Sequence, residues 1–479
     1  MPASPPLRQA PAADVHRHTQ HPVAPTVRRQ TGLGSGPSDH SGRTGVDIAA
    51  LRAAGARHLI QSELLSDVVP AIEGPVFVRA EGAEIFDADG RGYLDFNSGQ
   101  MCSALGHNNP RVTAAVREGL GTLTHASSVY FNAPQLLLAA RLAETFDAPL
   151  SRSLFIQSGA DSNEAALLFA RRATGRTGIG ALHLSFHGYT DVTRAISFAA
   201  ATPGNGPAIP EVFAIPAPYA YRSPVPAEGE DWWRPLLAIA LDLLDRECPD
   251  NLAAVIAEPL VSAGGVIEMP PGYLRALKAG LKERGALLIL DEAQTGLGKL
   301  GSMYAYQQHG VVPDIMTLSK HFGGGLPISA MVTTDAIAER ALEGGLTFGH
   351  SHSSDPIACT AGLASLDEIL EEDVPAKARA IGARWLAGME SLMQRFPIIG
   401  DLRGRGCLQG VELVRDRATK EPASREAQDI YRDCLANGLL FSVRGQHGNV
   451  LRFVPPFCSS GEQIDRAVSI LEGALARHG

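Results

Sequence analysis

The sequence predicts an α/β fold: a large, mainly parallel sheet flanked by helices, joined to a smaller α+β part. Three observations predict it. Short apolar runs alternate with stretches of helical length from about residue 110 to 331, the rhythm of strand–helix–strand units. Fifty glycines among 479 residues supply the tight loops such a chain needs. Two apolar runs end in chemically useful residues: 286–290 in Asp291, and 314–318 in Ser319-Lys320, followed by Gly323, Gly324 and Gly325. Continuous apolar runs are the mark of strands buried on both faces. In open α/β sheets, ligands bind at the carboxyl rim of such strands.

Composition sets the outer bounds. Hydrophobic residues make up 45% and charged residues 19%, as in an ordinary globular chain with a large core. A net charge of −9 argues against nucleic acid as a partner. No apolar stretch approaches the roughly 18 residues of a membrane span. Six scattered cysteines (102, 248, 359, 407, 434, 458) contain no CxxC and read as reduced core thiols of a cytoplasmic protein.

In chain order, residues 1–45 are rich in Pro, Ser, Gly, His and Arg without apolar periodicity, so a disordered extension is expected. It carries neither the apolar run of a secretory signal nor an amphipathic helix. A helix follows at 46–65. Strands at 76–80, 84–87 and 92–96 turn at Asp89-Gly90. The main sheet takes strands at 153–156, 180–185, 212–214, 252–257, 286–290, 314–318 and 328–333, with helices at 162–174, 232–245 and 272–284. Beyond about 361 a long helix leads to helix 374–395, a strand pair within 400–414, helix 424–437, strands 439–443 and 450–454, and helix 460–476. The expected division is a large domain at 110–360 and a small one built from 46–109 and 361–479. No internal repeat is present.

The chain has only six lysines. Lys278 and Lys282 lie on a solvated helix face, Lys377 and Lys420 in charged surroundings, and Lys299 in a Gly-rich turn. Only Lys320 follows a buried strand, where a lysine is either costly or chemically used. Asp291 is a buried carboxylate that needs a cationic partner, or a helix cap. In 157–176 a strand, a small-residue turn and a helix offer backbone N–H groups to an anion at Gly159 and Ala160; an ordinary turn reads the same way. Phe186 in SFHGYT is a core residue or a stacking ring. His187 reads as supporting structure, Glu258 as a hydrogen-bonding group at the same rim, and Glu292 as serving the loop.

These motifs, in this order, resemble the class III aminotransferases, which depend on pyridoxal 5'-phosphate (PLP), and the match runs from about residue 46 onward. The resemblance implies a fold type I PLP-dependent transferase. Lys320 would be the Schiff-base lysine, and Asp291 would pair with the pyridine nitrogen. Gln294 would bond the ring oxygen, Phe186 would stack on the ring, and Gly159 and Ala160 would hold the phosphate. Ser351 falls where the family has a hydroxyl that reaches the neighbouring subunit's phosphate. Family members pair as homodimers or dimers of dimers.

Within the family, LDFNSGQM, FAIPAPYAYR, HSSDPIACTAG, DLRGRGCLQGVELVRDRATKEP and LRFVPP resemble the 2,2-dialkylglycine decarboxylase branch. There the glutamine at Gln100, next to Met101, contacts the carboxylate to be lost. The arginine at Arg452 holds a substrate carboxylate, and Ser128, Ser351 and Asp355 match ligands of an alkali-metal ion; a local hydrogen-bond network is the other reading of those three. Phe186, Ala263 and Gly349 replace that branch's tryptophan, serine and tyrosine. The implied reaction is decarboxylation coupled to transamination: a 2,2-dialkylglycine gives a ketone and CO₂, and the amino group passes to a 2-oxo acid. The alternative is an aminotransferase for ordinary amino acids or amines without decarboxylation.

Overall fold

The computed structural model describes residues 48–59, 74–200 and 209–479. The expected extension at 1–45 lies outside them. The helix expected at 46–65 is present as Ile48–His58, and its far end also falls outside.

Strands β1 (Phe77–Glu81), β2 (Glu84–Asp87) and β3 (Gly92–Asp95) form an antiparallel meander. Next come β4 (Leu150–Ile156), β5 (Gly178–Leu182), β6 (Val212–Ile215) and β7 (Leu252–Ala257), then a small hairpin of β8 (Leu260–Val261) and β9 (Ile267–Glu268). β10 (Leu287–Asp291), β11 (Ile315–Leu318) and β12 (Ser329–Thr334) complete a seven-stranded sheet of order β4-β12-β11-β10-β7-β5-β6. Pairings from β11 through β10, β7 and β5 to β6 are parallel. β12 runs antiparallel to both β11 and β4. Its connection from β11 is only the short lysine turn, and a parallel return needs a dozen or more residues of crossover.

Successive residues of each strand enter different cores, as the two-residue period of a strand requires. Leu288 and Leu290 of β10 join one hydrophobic cluster, and Ile289 joins the other. In β11, Met316 and Leu318 face one cluster and Ile315 the other. All six residues of β7 are buried. Helix Gly159–Thr174 covers one face through Ala165, Ala166, Phe169 and Ala170. Helix Tyr273–Glu283 covers the opposite face through Leu274, Leu277 and Leu281. Each fully buried leucine contributes about 1.5–3 kcal/mol.

The remaining strands are β13 (Ile399–Arg405), β14 (Leu408–Asp416), β15 (Glu421–Pro422), β16 (Leu439–Leu440), β17 (Ser442–Arg444) and β18 (Val450–Phe453). One sheet has the order β13-β14-β18-β17, with β15 on the edge of β14. The single strand expected at 439–443 is in fact two. β16 pairs in parallel with β3, and β17 pairs with β18, so the chain changes sheets at the buried Phe441. Glu412, fully buried on β14, accepts from Tyr219, from Arg222 at 2.5 Å, and pairs with Arg403 at 2.7 Å, which ties two of the sequence motifs together.

The sequence reading passed over the helices Pro110–Leu120, Ala133–Ala143 and Asp335–Glu343, and placed the start of Pro356–Glu371 too late. Their starts carry a legible signal. Asn109 caps Arg111 and Val112 ahead of a proline, Asn132 caps Gln135, and Thr334 caps Ile337. None of the six thiols is paired. Four are buried and Cys102 is half-buried, but Cys458 is exposed and is not the core thiol expected. No described helix is long and apolar enough to cross a membrane.

Helix Val374–Arg395 sits on a turn at Gly406. A Cβ on Gly382 would lie 2.3 Å from the Gly406 carbonyl oxygen. Neither main chain can yield cheaply, so Gly382→Ala is expected to destabilise the protein by about 1–3 kcal/mol. Urea unfolding measures this; an unchanged midpoint would mean the helix is not seated on that turn.

Candidate active site

Three segments converge at one rim of the seven-stranded sheet. A Cβ on Gly159 would lie 3.4 Å from the Ser319 side chain and 3.8 Å from the Ala293 Cβ. The first turn of helix Gly159–Thr174 therefore touches the residues that follow Asp291 and precede Lys320. Ser158 caps that helix in a reciprocal box with Asp161. The N–H groups of Gly159 and Ala160 belong to the first turn and have no intrahelical acceptors. Gly188 has φ +139°, and a Cβ there would come within 2.6 Å of the Ala160 Cβ, so the rim is lined by small residues out of steric need.

Asp291 is 4% exposed and held by four donors. Oδ2 accepts from Asn163 Nδ2 and from His187 Nδ1, both at 2.8 Å. Oδ1 accepts from the Ala293 N–H at 3.0 Å and the Thr317 hydroxyl at 3.2 Å. Thr317 is the cross-strand partner of Asp291, which puts its hydroxyl within reach. Asn163 Oδ1 shares the single Thr317 hydroxyl proton with Asp291, at 2.8 Å, and Asn163 Nδ2 donates to the His187 carbonyl, also at 2.8 Å. Because Asp291 only accepts, His187 carries its proton on Nδ1; its Nε2 has no partner among the described residues. The sequence reading missed Asn163 and Thr317. An asparagine and a threonine amid apolar residues were the available signals.

Glu258, at the end of β7, accepts from the Phe186 N–H at 2.9 Å and the Ser262 N–H at 3.1 Å. Burial pushes its carboxyl up to about 7; Asp291 adds to the rise, and His187 opposes it. The Phe186 ring meets Tyr189 edge to face at 5.0 Å. Glu292 serves the loop: it accepts from the Ala305 and Tyr306 N–H groups at 2.8 and 2.7 Å.

Lys320 has φ +58°, a left-handed conformation that a non-glycine residue adopts only under tertiary constraint. Burial lowers the pKa of its ammonium, and Arg452 and Arg444 push the same way against Asp291 and Cys102. Arg452, on β18, is 4% exposed. It donates to Ser442 and Ser262 at 3.1 Å and to Gln294 at 3.4 Å. No carboxylate among the described residues forms an ion pair with it.

The other expected residues are more dispersed. Gln100 is exposed, in a short helical turn where Ser98, Gly99 and Met101 all have positive φ. Met101 is 1% exposed and packs with Leu260, Leu300 and Val454, so its side chain is core. Ser128 and Ser351 are exposed. The Asp355 carboxylate is engaged by His125 and His352 at 2.6 and 2.5 Å. The Ala263 carbonyl accepts from the Gly445 N–H, and a Cβ on Gly349 would meet nothing within 4 Å.

Lys299 is what the sequence reading misjudged. Its Gly-rich turn is wholly buried, and its Nζ has no hydrogen-bond partner among the described residues. Burial, with Lys320 and Arg452 adding, pulls its pKa down to about 7. The unfolded value is about 10.4. The native state therefore binds fewer protons than the unfolded state between those values, and stability rises with pH across that window. Lys299→Met is expected to gain about 1–3 kcal/mol below pH 7 by removing an unsatisfied buried group. It also flattens the rise between about pH 7 and 10. Urea midpoints at acid and alkaline pH measure both; an undiminished slope in the variant contradicts the assignment.

Comparison with known proteins gives the family of the chain. The family model "Aminotransferase class-III" matches residues 70–475. An uncharacterized aminotransferase of Schizosaccharomyces pombe is 37% identical over 404 residues, spanning 84% of this chain and 90% of that protein. The human mitochondrial alanine–glyoxylate aminotransferase 2 is 33% identical over 444 residues, 88% of this chain and 86% of that one. Among solved structures, the PLP-bound amine transaminase from an uncultivated Pseudomonas species aligns at 30% identity with TM-score 0.81, covering 88% of this chain and 99% of that one. With the lysine turn, the held aspartate and the small-residue helix start all at one sheet rim, the chain belongs to the class III aminotransferases and has the fold of the PLP-dependent transaminases.

Proposed function

We propose that this chain transfers an amino group from an amino acid or amine to a 2-oxo acid, with PLP held at the rim described above. The observation that carries the reading is a pair of basic groups, Lys320 and Arg452, without ion-paired carboxylates among the described residues, beside the firmly held Asp291. The residues fit the cofactor. Asp291 and Glu258 are two buried carboxyls that repel one another, and a cationic ring nitrogen would relieve that repulsion. Gly159 and Ala160 would hold the phosphate, Phe186 and Gln294 the ring, and Lys320 the aldehyde carbon. Once bound, PLP supplies an electron sink for the substrate's Cα.

The chain's own residues do the rest. Lys320 Nζ, whose ammonium form is disfavoured by burial, takes the Cα proton as a base and returns it. Arg452 binds the carboxylate common to amino acid and 2-oxo acid, with Ser262, Ser442 and Gln294 fixing its fork. Four hydrogen-bond donors fix the Asp291 carboxyl in position. Loss of CO₂ in place of the Cα proton remains tied to Gln100 alone. The relatives described above are named as aminotransferases, so that reading takes precedence.

A second copy completes the protein in this reading. Val129, Tyr130 and Phe131 are 78%, 72% and 79% exposed, side by side and next to Ser128. Such a patch marks an interface, and a homodimer is expected by sedimentation.

Lys320→Ala is expected to abolish amino transfer and to return the absorbance of bound PLP to that of the free compound. Arg452→Met is expected to raise KM for both carboxylate substrates about 10- to 150-fold, the range for losing a charged hydrogen bond. Transfer from alanine is expected to outrun CO₂ release from 2-aminoisobutyrate. If CO₂ release is faster and Gln100→Ala removes it while sparing alanine, the decarboxylating reading replaces this one.

A further inference from the structure

We propose that His125, His352 and Asp355 form a binding site for a divalent transition-metal ion of the zinc type. His125 Nδ1 lies 2.6 Å from Asp355 Oδ1, and His352 Nδ1 lies 2.5 Å from Oδ2. One donor atom from each residue lies within 4.8 Å of the others. The imidazole rings are 5.2 Å apart and tilted by 57°. Two imidazoles and a carboxylate are the borderline donor set that suits zinc, cobalt, nickel and copper, not alkali or alkaline-earth ions. Three protein ligands leave a fourth position for water.

The use of Asp355 is the independent sign. It is the N-cap of helix Pro356–Glu371, with proline following, yet its side chain caps no backbone N–H. Asn109 stands in the same sequence context and spends its side chain on two amides. Asp355 turns its carboxylate to the two histidines instead, which leaves the helix start uncapped. That arrangement is unfavourable unless the carboxylate is needed elsewhere.

The ligands also sit on a prepared frame. The Asn132 side chain donates to the Ser354 carbonyl at 2.9 Å, and the Ser354 N–H donates to the Phe155 carbonyl of β4 at 3.1 Å. Gln157, next to the helix cap at Ser158, donates to the His352 carbonyl. An ion here would staple the connection holding His125 to the one holding His352. In the single chain the histidine side chains are 50% and 66% exposed. The alkali-metal set expected from sequence shares only Asp355 with this one.

The test uses full-length, tag-free holoenzyme stripped with a chelator. Zn²⁺ is titrated by calorimetry, and Co²⁺ is followed by its visible absorbance. One ion per chain is expected. His125→Ala, His352→Ala and Asp355→Asn should each weaken binding by more than the ~10- to 100-fold that loss of an outer-shell partner costs. Thermal unfolding in chelator should coincide for wild type and the histidine variants, since those side chains are exposed. Absence of stoichiometric Zn²⁺ binding, or unchanged affinity in the double histidine variant, overturns the site.

Discussion

The rest of the site depends on one buried carboxylate. Asp291 lies at the end of a central strand, where its charge would be prohibitive without compensation. The compensation comes from three directions: a helix through Asn163, the neighbouring strand through Thr317, and the loop after β5 through His187. Asn163 itself touches all the others. This network locks helix, sheet and loop to one another. The lysine turn and the helix start are then held against a fixed point, the condition under which positioned groups become useful for chemistry.

Charge at this rim is organised by exclusion of water. Lys320, Lys299 and Arg452 are three basic groups whose cationic forms are all disfavoured by burial. Glu258 leans the opposite way and holds its proton to about 7. A cluster of buried basic groups beside an anchored carboxylate suits a ligand that carries both its own cationic nitrogen and its own anions. The strained φ of Lys320 belongs to the same logic. The turn that forces it also aims the residue at the rim, and the packing of its surroundings sustains the strain.

The parts legible in the sequence were those governed by local physics. β7, β10 and β11 are apolar runs because both their faces are covered, and any reader of hydropathy finds them. Asp291 and Lys320 stand out because polar residues end those runs. What escaped was set by distant packing. The turn of Lys299 looks exposed until Val374 and Arg379, some 75–80 residues later, close over Gly298 and Gly301. The switch of sheets at Phe441 depends on where β3 lies, and the meeting of His125 with Asp355 on how two connections fold across β4. The resemblance to a decarboxylating branch rested on short motifs. Two of these, one with Tyr219 and Arg222 and the other with Arg403 and Glu412, are joined by a buried ionic tie.

The central claim is that Lys320, Asp291 and Arg452 together run amino transfer. The most direct measurement is the half-reaction. Holoenzyme is mixed with a single amino acid and no acceptor, and released 2-oxo acid, CO₂ and protein-bound nitrogen are counted per site. The account predicts one 2-oxo acid per site, no CO₂, and nitrogen retained on the protein until a different 2-oxo acid removes it. Release of CO₂ in step with product, or no product from any amino acid or amine, would contradict it.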